Sequence, residues 1–156
     1  MPHSADCGTQ FLHMNNAAYL QHAELARWEH GIATGFMRHA SRERLIFLVA
    51  SNAIRYRREL KPLQRFEVHT SIIAADERSM WIWQKFHPAR SSSDEAQERA
   101  AAGSLCRAVL KRGSDLVSPL LVMQALGADE PTLADLKSAS SALGQDALAT
   151  LEQEIV

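Results

Sequence analysis

The sequence predicts an α+β fold in which a curved antiparallel sheet wraps around one central helix. Three observations predict it. A helical segment near the N-terminus is apolar on most of its sides. A run of strand-like segments follows between residues 45 and 112, joined by turns and a polar connector rather than by helices. The segments after residue 117 are helical again and look peripheral. A helix that is apolar nearly all round has to be covered by other structure, and a sheet curled around it is one such cover.

Residues 1–12 are short and irregular. Asn15 and Asn16 are good capping residues and open a helix that runs to about His30. Its apolar residues are Met14, Ala17, Ala18, Tyr19, Leu20, Ala23, Leu25, Ala26 and Trp28. Gly31 is expected to break it, and a second, shorter helix follows over 32–42. The run Leu45-Ile46-Phe47-Leu48-Val49-Ala50 has no alternation, which suits a central strand buried on both faces. It continues into Tyr56-Arg57-Arg58 and closes at Leu60-Lys61-Pro62-Leu63. Next, Phe66, Val68, Thr70 and Ile72 alternate with Glu67, His69, Ser71 and Ile73, as a half-buried strand does. Asp76-Glu77-Arg78-Ser79 is a turn. Residues 80–87 form a third strand, with Trp81 and Trp83 on one face and Met80, Ile82 and Phe86 on the other. A Ser-rich connector over 88–98 leads to a fourth strand over 100–112. Ser118-Pro119 starts a helix that Gly127 stops. The Ala-, Ser- and acid-rich remainder carries a weak apolar stripe at Leu133, Leu136, Leu148, Leu151 and Ile155. The organisation is a domain over 1–117 and a peripheral helical extension over 118–156 with few contacts to the core.

Composition narrows the function classes. A length of 156 residues fits one domain with a sizeable core. A formal net charge of -1 gives no global electrostatic case for nucleic-acid or membrane-surface binding. Cys7 and Cys106 cannot make a disulfide framework. No basic and apolar leader opens the chain, and no apolar run reaches the ~20 residues of a membrane span. A soluble, cytoplasmic protein is expected. The seven histidines form no metal-ligand spacing. There is no Gly-rich phosphate loop and no nucleophile elbow.

His13-Met14-Asn15-Asn16-Ala17-Ala18-Tyr19-Leu20, followed by Glu24-Leu25-Ala26-Arg27, resembles the start of the central helix in hot-dog proteins of the 4-hydroxybenzoyl-CoA thioesterase-like branch, most of all the thioesterase-superfamily-member-6-like group. Tyr56-Arg57-Arg58-Glu59-Leu60-Lys61-Pro62-Leu63, followed by Phe66-Glu67-Val68, is similar to the junction of the second and third strands in the same family. The resemblance covers roughly residues 7 to 112 and is more specific for fold than for activity. It implies hydrolysis of an acyl-CoA or acyl carrier protein thioester by a homodimer, or a dimer of dimers, with no cofactor beyond the CoA of the substrate. Two departures stand out. Only twelve residues precede His13, so the first strand is missing or truncated. The positions four and six residues before His13, where relatives usually carry acids, hold Thr9 and Cys7.

Thioester hydrolysis needs a polarised carbonyl and an activated water. The N–H groups and positive dipole end at Asn15 and Asn16 are suited to a developing oxyanion. Asp6 and Glu24 are the candidate general bases, and a nucleophilic carboxylate is the other route. Each residue also has a structural reading. His13 orients the loop, Asn15 and Asn16 are ordinary caps, Glu24 pairs with Arg27 at i,i+3, and Cys7 is a spectator thiol. The basic cluster Arg55, Arg57, Arg58 and Lys61 is either a cradle for CoA phosphates or a solvated strand end, and Lys111 and Arg112 invite the same two readings. Trp81 and Trp83 read as packing or a dimer surface before a ligand stack. The favoured function is acyl-CoA thioesterase. The alternatives are a non-catalytic acyl-chain or acyl-CoA binding protein on the same fold and a structural dimerisation module.

Overall fold

In the computed structural model the described residues are 3–4, 14–61, 63–89 and 100–143. The chain runs β1 (His3–Ser4), α1 (Asn16–Ala33), α2 (Phe36–Glu43), β2 (Ile46–Tyr56), β3 (Arg65–Ala75), β4 (Met80–Pro88), β5 (Ala102–Arg112), β6 (Asp115–Val117), α3 (Pro119–Ala125) and α4 (Glu130–Leu143). One antiparallel sheet has the order β1-β3-β4-β5-β2, with β6 added to β5. The expected arrangement, a sheet around a central helix with further helices after it, is the one observed. Among the described residues, His3 and Ser4 of β1 pair with Phe66 and Arg65 of β3.

The core sits between α1 and the inner face of the sheet. Met14, Ala18, Tyr19 and Ala23 pack on Phe66, Phe86, Ala101 and Ala102, with Leu60 closing the end. Asn15 is the N-cap; its Oδ1 accepts the Ala18 N–H at 2.8 Å. The helix does not break at Gly31 but continues through it to Ala33. Gly31 is buried, and a Cβ there would lie 3.3 Å from the Met37 side chain, so its smallness lets α2 approach α1. The reversal falls instead at Gly35, whose φ of +78° favours glycine.

Three expectations need correction. The apolar run in β2 does not make a central strand. β2 is the outermost strand beside β5, and Ile46, Leu48 and Val49 are exposed. An unbroken apolar run reports that both faces want cover, not that this chain supplies it. For the same reason α1 is only half wrapped: Leu20, Leu25, Trp28 and Ile32 are exposed although the helix is apolar nearly all round. The C-terminal helices are not loosely attached. Leu120 and Val122 of α3 are buried with Met80, Ile82 and Ala108. Leu143 of α4 is buried against Trp81, Trp83 and Leu105 on the outer face of the sheet, so the two tryptophans are packing residues. The turn at 76–79 anchors α4: Asp76 accepts from the N–H groups of Arg78 and Ser79 and from the Ser140 hydroxyl. Glu77 accepts from Ser118 and pairs with Lys137.

Candidate functional site

Two regions of α1 carry the site. The first is its N-terminus. The Met14 N–H donates to the Leu60 carbonyl at 3.1 Å, which fixes the start of α1 against the segment after β2. That segment carries Arg57, Arg58 and Lys61, so the basic cluster lies beside the positive end of the helix. Arg57 and Arg58 are half-buried, and both donate their backbone N–H to the Ala101 carbonyl. Tyr19 is buried one turn in; burial pushes its phenol up to about 12, against the Leu60 backbone hydrogen bond, so it stays protonated. Asn15 is committed to capping Ala18, while Asn16 is exposed. The first-turn N–H groups of Asn16 and Ala17 are the ones that helical geometry leaves without an intrahelical acceptor. No acidic residue stands in that first turn. Asp6 and His13 lie outside the described residues, as do Thr9 and Cys7.

The second region is a cavity of about 640 Å³ between the C-terminal half of α1, α2, α3 and the sheet. Its walls are largely apolar, with Phe36, Leu45, Phe47, Ile72, Ile82 and Met123 among them. Its polar groups come mainly from one helical stripe. Glu24, Arg27, His30 and Thr34 all line it, at the spacing that puts residues on one face of a helix. Thr70 adds one hydroxyl from β3. Burial lowers the His30 pKa, which favours the neutral imidazole. Trp28, Ile46, Leu48 and Val49 line the cavity and are also exposed, so it opens at the β2 edge.

Glu24 and Arg27 do not form the i,i+3 pair. Arg27 Nη1 donates instead to Gln84 Oε1 at 2.8 Å. Gln84 is fully buried on the inner face of β4, and its Nε2 donates to the Ala23 carbonyl at 2.7 Å and to Thr70 Oγ1 at 3.2 Å. Glu24 remains exposed at the cavity mouth. The Arg27–Gln84 pair was not read from the sequence, yet a signal existed. Gln84 falls on the Met80, Ile82, Phe86 parity of β4, so a polar residue stands at an inward position.

Within one chain the two regions are separated: Asn16 and Glu24 are eight residues apart, about 12 Å along the axis at 1.5 Å per residue. Arg112 is accounted for, because it bridges to Glu43 at 2.7 Å and ties α2 to β5. Cys106 is buried, and burial pushes its thiol up, away from the reactive thiolate. Among the described residues no cluster of His, Cys, Asp and Glu could hold a metal ion, and no helix is long and apolar enough to cross a membrane.

Residues 5–115 match the family model described as the thioesterase-like superfamily. The protein THEM6 of Danio rerio is 38% identical over 102 residues, covering 65% of this chain and 48% of that protein. THEM6 of Xenopus laevis is 31% identical over 86 residues, covering 55% and 40%. The chain thus spans less than half the length of these relatives. Among solved structures, the probable thioesterase YbaW from Escherichia coli superposes with a TM-score of 0.65 at 18% identity, covering 76% of this chain and 87% of that one. A DHNA-CoA thioesterase from Staphylococcus aureus superposes with a TM-score of 0.63 at 13% identity, covering 94% and 93%. At such identities the structures speak for the hot-dog fold, and the family match over most of the chain establishes that this protein belongs to the thioesterase-like superfamily.

Proposed function

We propose that the protein hydrolyses acyl thioesters of CoA or of acyl carrier protein, working as a homodimer. The observation that carries this reading is the cavity of about 640 Å³ with apolar walls and a carboxylate, Glu24, at its mouth. A cavity of that size and lining suits an acyl group. The first-turn N–H groups at Asn16 and Ala17 are the oxyanion donors. Glu24 takes a proton from water as the water oxygen attacks the thioester carbonyl; the C–S bond then breaks and the proton goes to the departing thiolate. Arg55, Arg57, Arg58 and Lys61, beside the helix N-terminus, fit the CoA phosphates.

The distance between Glu24 and the first turn of its own α1 argues for two copies. A two-fold dimer can set one copy's α1 N-terminus beside its partner's cavity, and both halves of the chemistry then meet. The exposed apolar residues belong to such an interface. Ile46, Leu48 and Val49 stand on a sheet edge that no other described strand pairs, and Leu25, Trp28 and Ile32 stand on the exposed side of α1.

One observation favours a second reading, a non-catalytic acyl-CoA binding protein: the first turn of α1 has no acid. Thiol release from a panel of acyl-CoAs separates the two. We expect turnover in the wild type and a loss of about 100-fold or more in kcat for Glu24→Gln with an unchanged melting temperature, the scale of a lost general base. Acyl-CoA binding with no turnover at any chain length would promote the binding protein instead.

A further inference from the structure

The polar stripe inside the cavity contains one feature that hydrolysis of a plain hydrocarbon acyl group does not need. Arg27 brings a guanidinium, half-buried, to a cavity whose walls are largely apolar. Its placement is built from below. The fully buried Gln84 is fixed by Ala23 and Thr70 and holds Arg27 Nη1 at 2.8 Å. A glutamine on an inward position of a central strand, spanning a helix carbonyl and an arginine, is costly unless each of its groups is satisfied. Here each is, and the result is an arginine held in one orientation. Its Nε and Nη2, the pair that meets a carboxylate as a side-on fork, have no hydrogen bond to any described residue. Glu24, one turn away, has no ion pair with Arg27 or with any other described residue.

We infer that the acyl group bound here carries a carboxylate of its own, and that Arg27, oriented by Gln84, recognises it. This substrate class depends on the cavity being the acyl site proposed above. The spacing also limits length. Glu24 and Arg27 are three residues apart, about 4.5 Å along the helix axis. A thioester carbonyl at Glu24 and a carboxylate at Arg27 therefore belong to a short dicarboxylyl chain, of the succinyl or glutaryl size. Glu24 is exposed and Arg27 half-buried, so the base keeps contact with water while the substrate carboxylate meets the guanidinium. A neutral acyl chain of equal length would cover the guanidinium and leave its Nε and Nη2 without an acceptor, and such a site discriminates strongly.

The test compares glutaryl-CoA with pentanoyl-CoA, which match in carbon number, on the full-length protein. Both kcat/KM by thiol release and affinity by calorimetry are measured, for the wild type, Arg27→Leu and Arg27→Lys. The wild type is expected to prefer glutaryl by about tenfold or more in both readouts. That ratio should fall below one in Arg27→Leu and recover in part in Arg27→Lys. Because the ratio is internal to each protein, a general loss of folded enzyme does not mimic it, and the wild-type ratio decides even where a variant fails to fold. Turnover of pentanoyl-CoA equal to or better than glutaryl-CoA overturns the dicarboxylyl assignment and leaves the hydrolase reading intact. Absence of turnover with glutaryl-CoA still bound preferentially overturns the hydrolase reading and keeps Arg27 as the carboxylate contact.

Discussion

Asn15 and Gln84 are both amide side chains, and the fold uses them in opposite ways. Asn15 works locally: its Oδ1 takes the Ala18 N–H and so satisfies a donor that no helix satisfies by itself. Gln84 works at long range, between α1 and β4, and its role appears only when two elements meet. The local role supports a simple expectation. Asn15→Ala should lower the unfolding free energy by about 1 kcal/mol in urea titrations, whereas Asn15→Asp, which keeps the acceptor and adds a charge that suits the helix dipole, should not. An equal loss in both would mean that the cap contributes through something other than the Ala18 hydrogen bond.

At the scale of elements, the turn between β3 and β4 holds α4 in place. Burial tends to raise the Asp76 carboxyl, but the Arg78 and Ser79 N–H groups and the Ser140 and Ser79 hydroxyls outweigh it and hold the pKa below its ordinary value. A depressed carboxylate contributes stability at pH above its unfolded value, about 3.9, and that contribution is lost as pH falls through the lower folded value. The urea midpoint of the wild type should therefore drop between pH ~5 and pH ~2.5 more steeply than that of Asp76→Asn. Parallel curves would place the acid sensitivity elsewhere. The same turn shows how α4 escapes the sequence. Its apolar stripe is weak, and it is held by Leu143 on the tryptophans and by Ser140 and Lys137 on the turn acids, partners some sixty residues away in the chain.

For the whole molecule, the β2 edge, which no other described strand pairs, is the decisive feature. Ile46, Leu48 and Val49 on the edge adjoin the cavity that they also line, so a partner covering the edge also closes the cavity. Val49→Lys should convert the proposed homodimer to a monomer at micromolar concentration in light scattering, and turnover should fall with it. A wild type that is already monomeric, or a monomeric variant with full turnover, would remove the second copy from the mechanism.

The sequence by itself determined the elements that depend on neighbours in the chain. The cap at Asn15, the alternation of β3, the split of β4 into a tryptophan face and a Met80/Ile82 face, the Asp76 turn and the Ser118-Pro119 helix start are all set by local hydrogen bonding and side-chain period, and all lie where the sequence places them. The motif at residues 13–20 likewise carried the family. What only the tertiary structure decided depends on which strand stands beside which. Hydrophobicity says that β2 and α1 want cover on two sides, but the same residues serve a strand inside a sheet and a strand at its edge, and only the order β1-β3-β4-β5-β2 distinguishes them. The candidate site divides in the same way. Its helix N-terminus and basic segment are local in sequence and were legible. The pairing of Arg27 with Gln84, 57 residues apart, arises only when the sheet closes over the helix and a buried amide has to find an acceptor and a donor.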